Sequence, residues 1–291
     1  MLTADDLDVT AALTWASQAT GRITGVRELS GGWTSTMLVL STESGEDHVL
    51  RLMTHEPWRS HGPGLTTREC EIQQMLADAP IPAPRSRALD AIGSECGFPA
   101  HLMSLLPGRI DLDRVDEVSL DRLAGLLATI HEVAPTIEVR TYQSWAWEAK
   151  YVVPPWATEP DLWEEAFALL RTDAPDYEPC FIHRDFQPRN VLWSDGQISG
   201  VVDWVETSIG PAWLDVAHCC TNIAIGHGTD CADVFAAAYV ARTGREPQPY
   251  FDVMDIVGFL PPPGKKEFIQ AGDERRRLEE RLWSVMRRMH S

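Results

Sequence analysis

The segment FIHRDFQPRN, residues 181–190, is continued by VLWSDGQISGVVDWVE to residue 206 and constrains the architecture more than any other part of the chain. An apolar run delivers the chain into His183, Arg184, Asp185 and, five residues past the aspartate, Asn190. Polar groups at that separation do not share a helix face in the usual i, i+4 manner, so the spacing predicts an irregular loop that aims both inward. Loops of that kind carry function. Two strand-like runs follow, NVLW and QISGVVD, joined at Asp195-Gly196, a dipeptide suited to a tight hairpin turn. The hairpin returns the chain to its starting point and is expected to bring Asp203 back beside Asn190.

A carboxylate, an amide oxygen and a second carboxylate then form one set. Hard Mg²⁺ takes oxygen ligands; Asn190 and Asp203 supply two, with nucleotide phosphates and water supplying the rest. Asp185, kept off the metal, can accept a substrate hydroxyl's proton and aim its oxygen at a γ-phosphorus. The bland reading is a polar turn region with two surface aspartates, but order, spacing and flanking strands all agree with the chemical one.

These residues resemble the catalytic and metal-binding segments of the protein-kinase-like phosphotransferases, most closely the aminoglycoside phosphotransferase and choline kinase family. The pattern is His-x-Asp, four residues, Asn, an Asp-Trp pair after a hairpin, then Gly-Pro and a further Asp. Here it reads His183, Asp185, Asn190, Asp203-Trp204, Gly210-Pro211 and Asp215. The resemblance implies an α+β, bilobal protein-kinase-like fold. Residues 1–104 would form a nucleotide-binding lobe with a five-stranded antiparallel sheet and a helix; residues 105–291 would form a mostly helical catalytic and substrate-binding lobe with a small β-hairpin. It also implies that Asp215 braces the catalytic loop. Protein kinases proper would have Lys at Gln187 and Asp-Phe-Gly at Asp203-Trp204-Val205, so a protein acceptor is disfavoured.

The N-terminal third has the matching pattern. A capping-box-like start at Thr3 and Asp6 predicts a first helix. RITGVREL, STMLVLS and DHVLRLM predict an antiparallel meander, LTTRECEIQQMLADA a helix, and RSRALD and FPAHLMSL two more strands. By the resemblance, the turn ELSGGWTST would cover the nucleotide phosphates with its backbone N–H groups and Ser35, although Gly31 and Gly32 are equally natural in a hairpin turn. The third strand carries Arg51 where kinases carry the phosphate-holding Lys, and the chain has no lysine before Lys150. Arg grips phosphate bidentately and is always charged, so Arg51 can take that role. Its carboxylate partner is expected to be Glu69, on the helix face of Ile72 and Leu76, rather than Glu71. HLMSLLPG resembles the family's hinge, implying that Ser104 and Leu106 read the adenine edge through their backbones. Later helices are predicted at 115–133, about 159–172, about 211–224, 229–242 and, basic and amphipathic, from 265.

Composition narrows the partners. An apolar fraction of 44% and a charged fraction of 23% are those of a globular protein, and no apolar run approaches the roughly 18 residues of a membrane span. The opening MLTADDLDVT has no basic and apolar leader pattern, so a cytoplasmic location is expected. A formal charge of −18 argues against nucleic acid and favours a cationic or neutral partner. Residues 265–291 carry a local +3, so the acidity belongs to the body of the chain. A metal cluster of His218, Cys219, Cys220 and His227 is conceivable, but a cysteine-bearing apolar helix explains the same letters.

Residues 140–175 hold Trp145, Trp147, Trp156 and Trp163 among acidic side chains, a composition that suits an ammonium-rich or apolar acceptor as well as it suits a tryptophan core. The expectation is a magnesium-dependent kinase using ATP or GTP on a small-molecule hydroxyl. An antibiotic of the aminoglycoside or macrolide class leads over a metabolic alcohol such as choline or homoserine. The thin glycine loop and Arg51 also motivate a different reading, a nucleotide-binding regulator without turnover.

Overall fold

In the computed structural model, described for residues 7–29, 34–265, 267, 269 and 272–290, the elements follow in chain order. They are α1 (Thr10–Thr20), β1 (Ile23–Leu29), β2 (Thr36–Thr42), β3 (Asp47–Leu52), α2 (Trp58–Met75), β4 (Ser86–Asp90), β5 (Ala100–Ser104), β6 (Arg109–Ile110), α3 (Glu117–His131) and α4 (Pro160–Leu170). Then come β7 (Pro179–Ile182), β8 (Val191–Ser194), β9 (Gln197–Val201), β10 (Ser208–Pro211), α5 (Ala212–His227), α6 (Thr229–Thr243), α7 (Pro249–Gly258) and α8 (Gly272–Met289). The chain divides into two units: Met1–Gly108 with Leu192–Glu206, and Arg109–Val191 with Thr207–Ser291. The segment bearing Asp203 therefore belongs with the first.

The first unit is built on the expected five-stranded antiparallel sheet, in the order β1-β2-β3-β5-β4. Strand alternation sorts its side chains. Leu38, Leu40, Leu50, Leu52, Ala100 and Leu102 pack on one face against Ala12, Trp15 and Ala16 of α1. Val39, Val49 and Met103 lie on the other, where Gln73 of α2 reaches the Met103 sulfur at 3.3 Å. Arg51 and its cross-strand partner His101 share that second face, which places an arginine and a histidine under α2.

The helix α2 opens at Trp58, two turns before the predicted start. Gly and Pro in WRSHGPG read as breakers, but Gly62 is needed by packing. A Cβ there would meet the Pro99 ring at 2.8 and 2.9 Å and Met53 Cβ at 3.1 Å. Gly62→Ala sets a helix-propensity gain of up to about 1 kcal/mol against an overpacking cost of about 1–3 kcal/mol. Because the obstacle is a ring fixed on the backbone, overpacking wins, and chemical denaturation should show a net loss of roughly 1–2 kcal/mol.

Thr3, Asp6, Gly31 and Gly32, which carried two of the sequence expectations, lie outside the described residues. The first helix opens where Asp8 Oδ1 accepts the Thr10 N–H at 3.0 Å. The basic helix starts at Gly272 rather than 265, past the Pro261-Pro262-Pro263-Gly264 run, which cannot continue a helix.

The second unit is mainly helical. Its two-stranded ribbon pairs β7 with β10 antiparallel, Ile182 opposite Ser208. One strand of the ribbon ends at the HRD loop and the other runs directly into α5. Asp215, in the first turn of α5, is thereby set beneath that loop. The helix α7, absent from the sequence expectations, is buried from Tyr250 to Gly258; a ten-residue segment that is buried on every side, with Asp252 and Asp255 inside as well, has no exposed polar face to read. Among the described residues no helix is long and apolar enough to cross a membrane.

Candidate active site

The first unit gathers Arg51, Glu69 and Asp203. Arg51 Nη2 lies 3.1 Å from Glu69 Oε1 and 3.1 Å from Asp203 Oδ1. Burial acts to lower the guanidinium pKa, but the two carboxylates outweigh it and hold the pKa above its usual value. Glu69 is wholly buried, and burial acts to protonate it. Arg51, the hydrogen bond from His101 and the Trp204 backbone N–H together keep its pKa below the usual carboxylate value. Glu71 is exposed. His101 places Nδ1 3.0 Å from Glu69 Oε2 and Nε2 3.0 Å from Ser86 Oγ, which leaves Oε1 of the glutamate to the Arg51 ion pair. Arg51 Nε is buried and makes no hydrogen bond among the described residues. Asp203, whose carboxylate is 32% exposed, sits at φ 70°, a left-handed conformation that costs a non-glycine residue about 1–3 kcal/mol.

The other expected nucleotide contacts lie in the same unit. Ser35 is buried just ahead of β2. Ser104 ends β5, its N–H committed to the Arg85 carbonyl at 2.9 Å. Leu106 follows, with its side chain against Gly200 of β9. Its N–H donates to no backbone carbonyl among the described residues, so it remains available to a ligand edge.

The hairpin β8–β9 turns at Asp195 and Gly196 with φ 49° and 73°, the two positive values that an Asp-Gly turn supplies.

In the second unit the HRD loop is held from below. Asp215 is buried and accepts the His183 N–H on Oδ2 and the Arg184 N–H on Oδ1, each at 2.7 Å. His131 Nε2 also lies 3.3 Å from Oδ2, and its Nδ1 meets the Tyr239 hydroxyl at 2.6 Å. Burial acts to raise the Asp215 pKa, but the hydrogen bond from His131, with the charges and backbone N–H around it, keeps the pKa low. Arg184 sits at φ 72° and lays its guanidinium 3.7 Å from the Trp145 ring centroid. These contacts hold a backbone conformation that an L-residue avoids.

Above this brace, Asp185 receives three side-chain donors. Gln187 Nε2 and His218 Nε2 approach Oδ1 at 2.7 and 2.9 Å, and Asn190 Nδ2 approaches Oδ2 at 2.9 Å. Burial would raise the Asp185 pKa, yet the bond and charge of His218 lead the effects that hold it below the usual value. Asn190 Nδ2 also donates to the Asp185 carbonyl at 2.8 Å. With its nitrogen so engaged, the amide oxygen of Asn190 accepts no hydrogen bond among the described residues; it is a hard donor suited to a magnesium ion.

The aromatic stretch is largely committed to packing. Trp163 is core, its Nε1 bonding Glu279 at 2.9 Å; Trp156 meets it edge-on, and Trp147 is half exposed beside Lys150. His218 and His227 do not form a cluster with the cysteines: His227 Nε2 meets the Leu112 carbonyl at 2.8 Å, while His218 serves two aspartates.

Residues 25–250 match the family profile described as phosphotransferase enzyme family, APH. The chain belongs to that family. Among curated relatives, it is 26% identical over 216 residues to the N-acetylmuramate/N-acetylglucosamine kinase of Pseudomonas aeruginosa, covering 70% of this chain and 60% of that protein. It is 27% identical over 214 residues to the homoserine kinase of a Chelativorans species, covering 68% and 64%. The chain thus spans under two thirds of these relatives' length. Among solved structures, aminoglycoside phosphotransferase APH(4)-Ia superposes with a TM-score of 0.67 at 16% identity, covering 96% of this chain and 99% of that one. This is a likeness of protein-kinase-like fold.

Of the site residues of this family member, His101 has no place in the sequence expectations and His218 appears there only as a conceivable metal ligand. His101 becomes visible only once the β3–β5 register sets it opposite Arg51. His218 stands three residues after Asp215, on the same face of α5, and that spacing was the available signal.

Proposed function

We propose that the chain transfers the γ-phosphoryl group of ATP or GTP to a hydroxyl of a small molecule. The observation that carries this reading is the environment of Asp185. It is a carboxylate held ionised by three side-chain donors, fixed on a braced loop, and still 21% exposed. In this reading Asp185 accepts the acceptor hydroxyl's proton as the hydroxyl oxygen bonds to the γ-phosphorus. The bond from that phosphorus to the β–γ bridging oxygen breaks, and the nucleoside diphosphate leaves. Asn190 and Asp203 would hold Mg²⁺, which when bound neutralises phosphate charge. Arg51, steadied by Glu69, has an unmatched buried Nε for a phosphate oxygen. Ser35 would lie over the phosphates, and the backbones of Ser104 and Leu106 would meet the adenine edge.

The overall charge of −18 supports a cationic acceptor, and with it an antibiotic of the aminoglycoside class, with a macrolide as the companion possibility. A second reading is a metabolic kinase acting on a sugar or small alcohol. The curated relatives favour it, since a kinase of amino sugars and a homoserine kinase each align over about two thirds of the chain. Nucleotide consumption and acceptor mass, followed across aminoglycosides, macrolides, amino sugars, choline and homoserine, separate the two. Phosphorylation of an antibiotic supports the first reading, turnover of metabolites alone replaces it with the second, and turnover of neither rejects both.

A further inference from the structure

His218 makes a link that the family motif does not contain. Its Nδ1 lies 2.9 Å from Asp255 Oδ1 on α7, and its Nε2 lies 2.9 Å from Asp185 Oδ1 on the HRD loop. An ionised carboxylate only accepts, and a neutral imidazole has one N–H, so bonding both carboxylates needs a proton on each ring nitrogen. The ring is therefore an imidazolium between two anions. The charges support this: burial opposes protonation, yet Asp255 and the hydrogen bonds to both aspartates push the His218 pKa up to about 10. Phe259 stacks on the ring at 5.8 Å and Trp145 meets it edge-on at 5.3 Å, which fixes its plane. The Asn222 amide nitrogen also lies 3.2 Å from Nε2, but it donates to the His218 carbonyl at 2.9 Å and makes no hydrogen bond to a protonated Nε2.

This arrangement distinguishes the two oxygens of Asp185. A carboxylate oxygen offers two lone pairs. On Oδ1 both are taken, by Gln187 and His218; on Oδ2 Asn190 takes one and leaves one. We propose that the Asp255–His218–Asp185 chain is a positioning relay that fixes the catalytic carboxylate so that Oδ2 alone faces the acceptor hydroxyl. The inference rests on the phosphotransfer reading above, in which Asp185 is the group that meets the hydroxyl. It adds a residue of α5 and one of α7 to the support of that group, and neither lies in the His-x-Asp to Asp-Trp segment.

The test compares wild type with His218→Gln, which keeps one donor, His218→Ala, and Asp255→Asn. Turnover is normalised to the number of Mg-nucleotide-binding molecules, so that unfolded protein does not count. His218→Ala should lower kcat roughly 10- to 100-fold, the value of a hydrogen bond to a charged group, with the KM for nucleotide unchanged. His218→Gln should recover part of that loss. Combined with Asp185→Asn, His218→Ala should add no further loss, since the relay acts only through that carboxylate. Independently of activity, the ¹⁵N resonances of the His218 ring should show both nitrogens protonated at pH 7 in the wild type, and Asp185→Asn should shift Nε2. A normalised kcat unchanged in His218→Ala, or a neutral ring in the wild type, overturns the relay while leaving the phosphotransfer reading intact. Absence of turnover in the wild type overturns the phosphotransfer reading and the relay's catalytic role together.

Discussion

Asp185→Asn should lower kcat by about 10²–10⁴ while leaving the KM for Mg-nucleotide nearly unchanged, the range that a positioned proton acceptor contributes. The asparagine keeps an oxygen for Gln187 and His218, and Asn190, which loses Oδ2 as an acceptor, keeps its bond to the residue-185 carbonyl, so the loop should hold its shape. In place of Oδ2 it offers an N–H₂, which cannot accept the hydroxyl's proton. Initial rates at saturating nucleotide, together with a nucleotide-binding isotherm, decide the matter. Equal loss of binding and turnover would mean that the side chain builds the site rather than acting in it.

Asp215→Ala should give the largest loss of stability. The change removes one buried carboxylate and leaves the His183 and Arg184 N–H groups without the acceptor each now has at 2.7 Å, and His131 without its anion. Breaking a buried charged network by deleting one member costs about 3–5 kcal/mol, which for a chain of this size is roughly 5–8 °C in Tm. Arg184 would also lose a bond that holds its left-handed backbone, so the loop should loosen before the rest of the unit. The pH dependence has a definite sign. The folded pKa of Asp215 lies below its ordinary 3.8, so its contribution is fully present above that value and is lost as pH falls through the folded pKa. The difference in stability between wild type and variant should therefore be constant from pH 7 down to about 5 and shrink below pH 4. Thermal melts at several pH values measure it.

The parts legible in the sequence were those whose local chemistry leaves few options. Asp195-Gly196 announces a hairpin because both residues tolerate positive φ, and β2 and β3 announce a sheet because their apolar residues alternate or run continuously between turn residues. The resemblance calls for a helix carboxylate beside Arg51 and the helix face selects Glu69 over Glu71, and the structure joins Arg51 to Glu69 at 3.1 Å. What was hidden depended on partners distant in the chain. The two strands β7 and β10 are four residues each, and neither has a pattern until it meets the other. The helix α7 is buried all round, Asp252 and Asp255 included, so no face could be assigned to Asp255 and the partner of His218 stayed out of view. The early start of α2 was masked by Gly62, whose reason is the Pro99 ring across the unit rather than a turn.

We propose that Asn190 and Asp203, at the two ends of one hairpin, would each give an oxygen to one magnesium ion. Nucleotide affinity measured calorimetrically with and without Mg²⁺, for wild type, Asn190→Ala, Asp203→Ala and the double variant, tests it most directly. Each single change should remove most of the Mg²⁺-dependent gain in affinity and the double variant should lose little more, as expected for two oxygens acting on one cation. Losses that simply add, or a Mg²⁺ dependence that survives both changes, would contradict it.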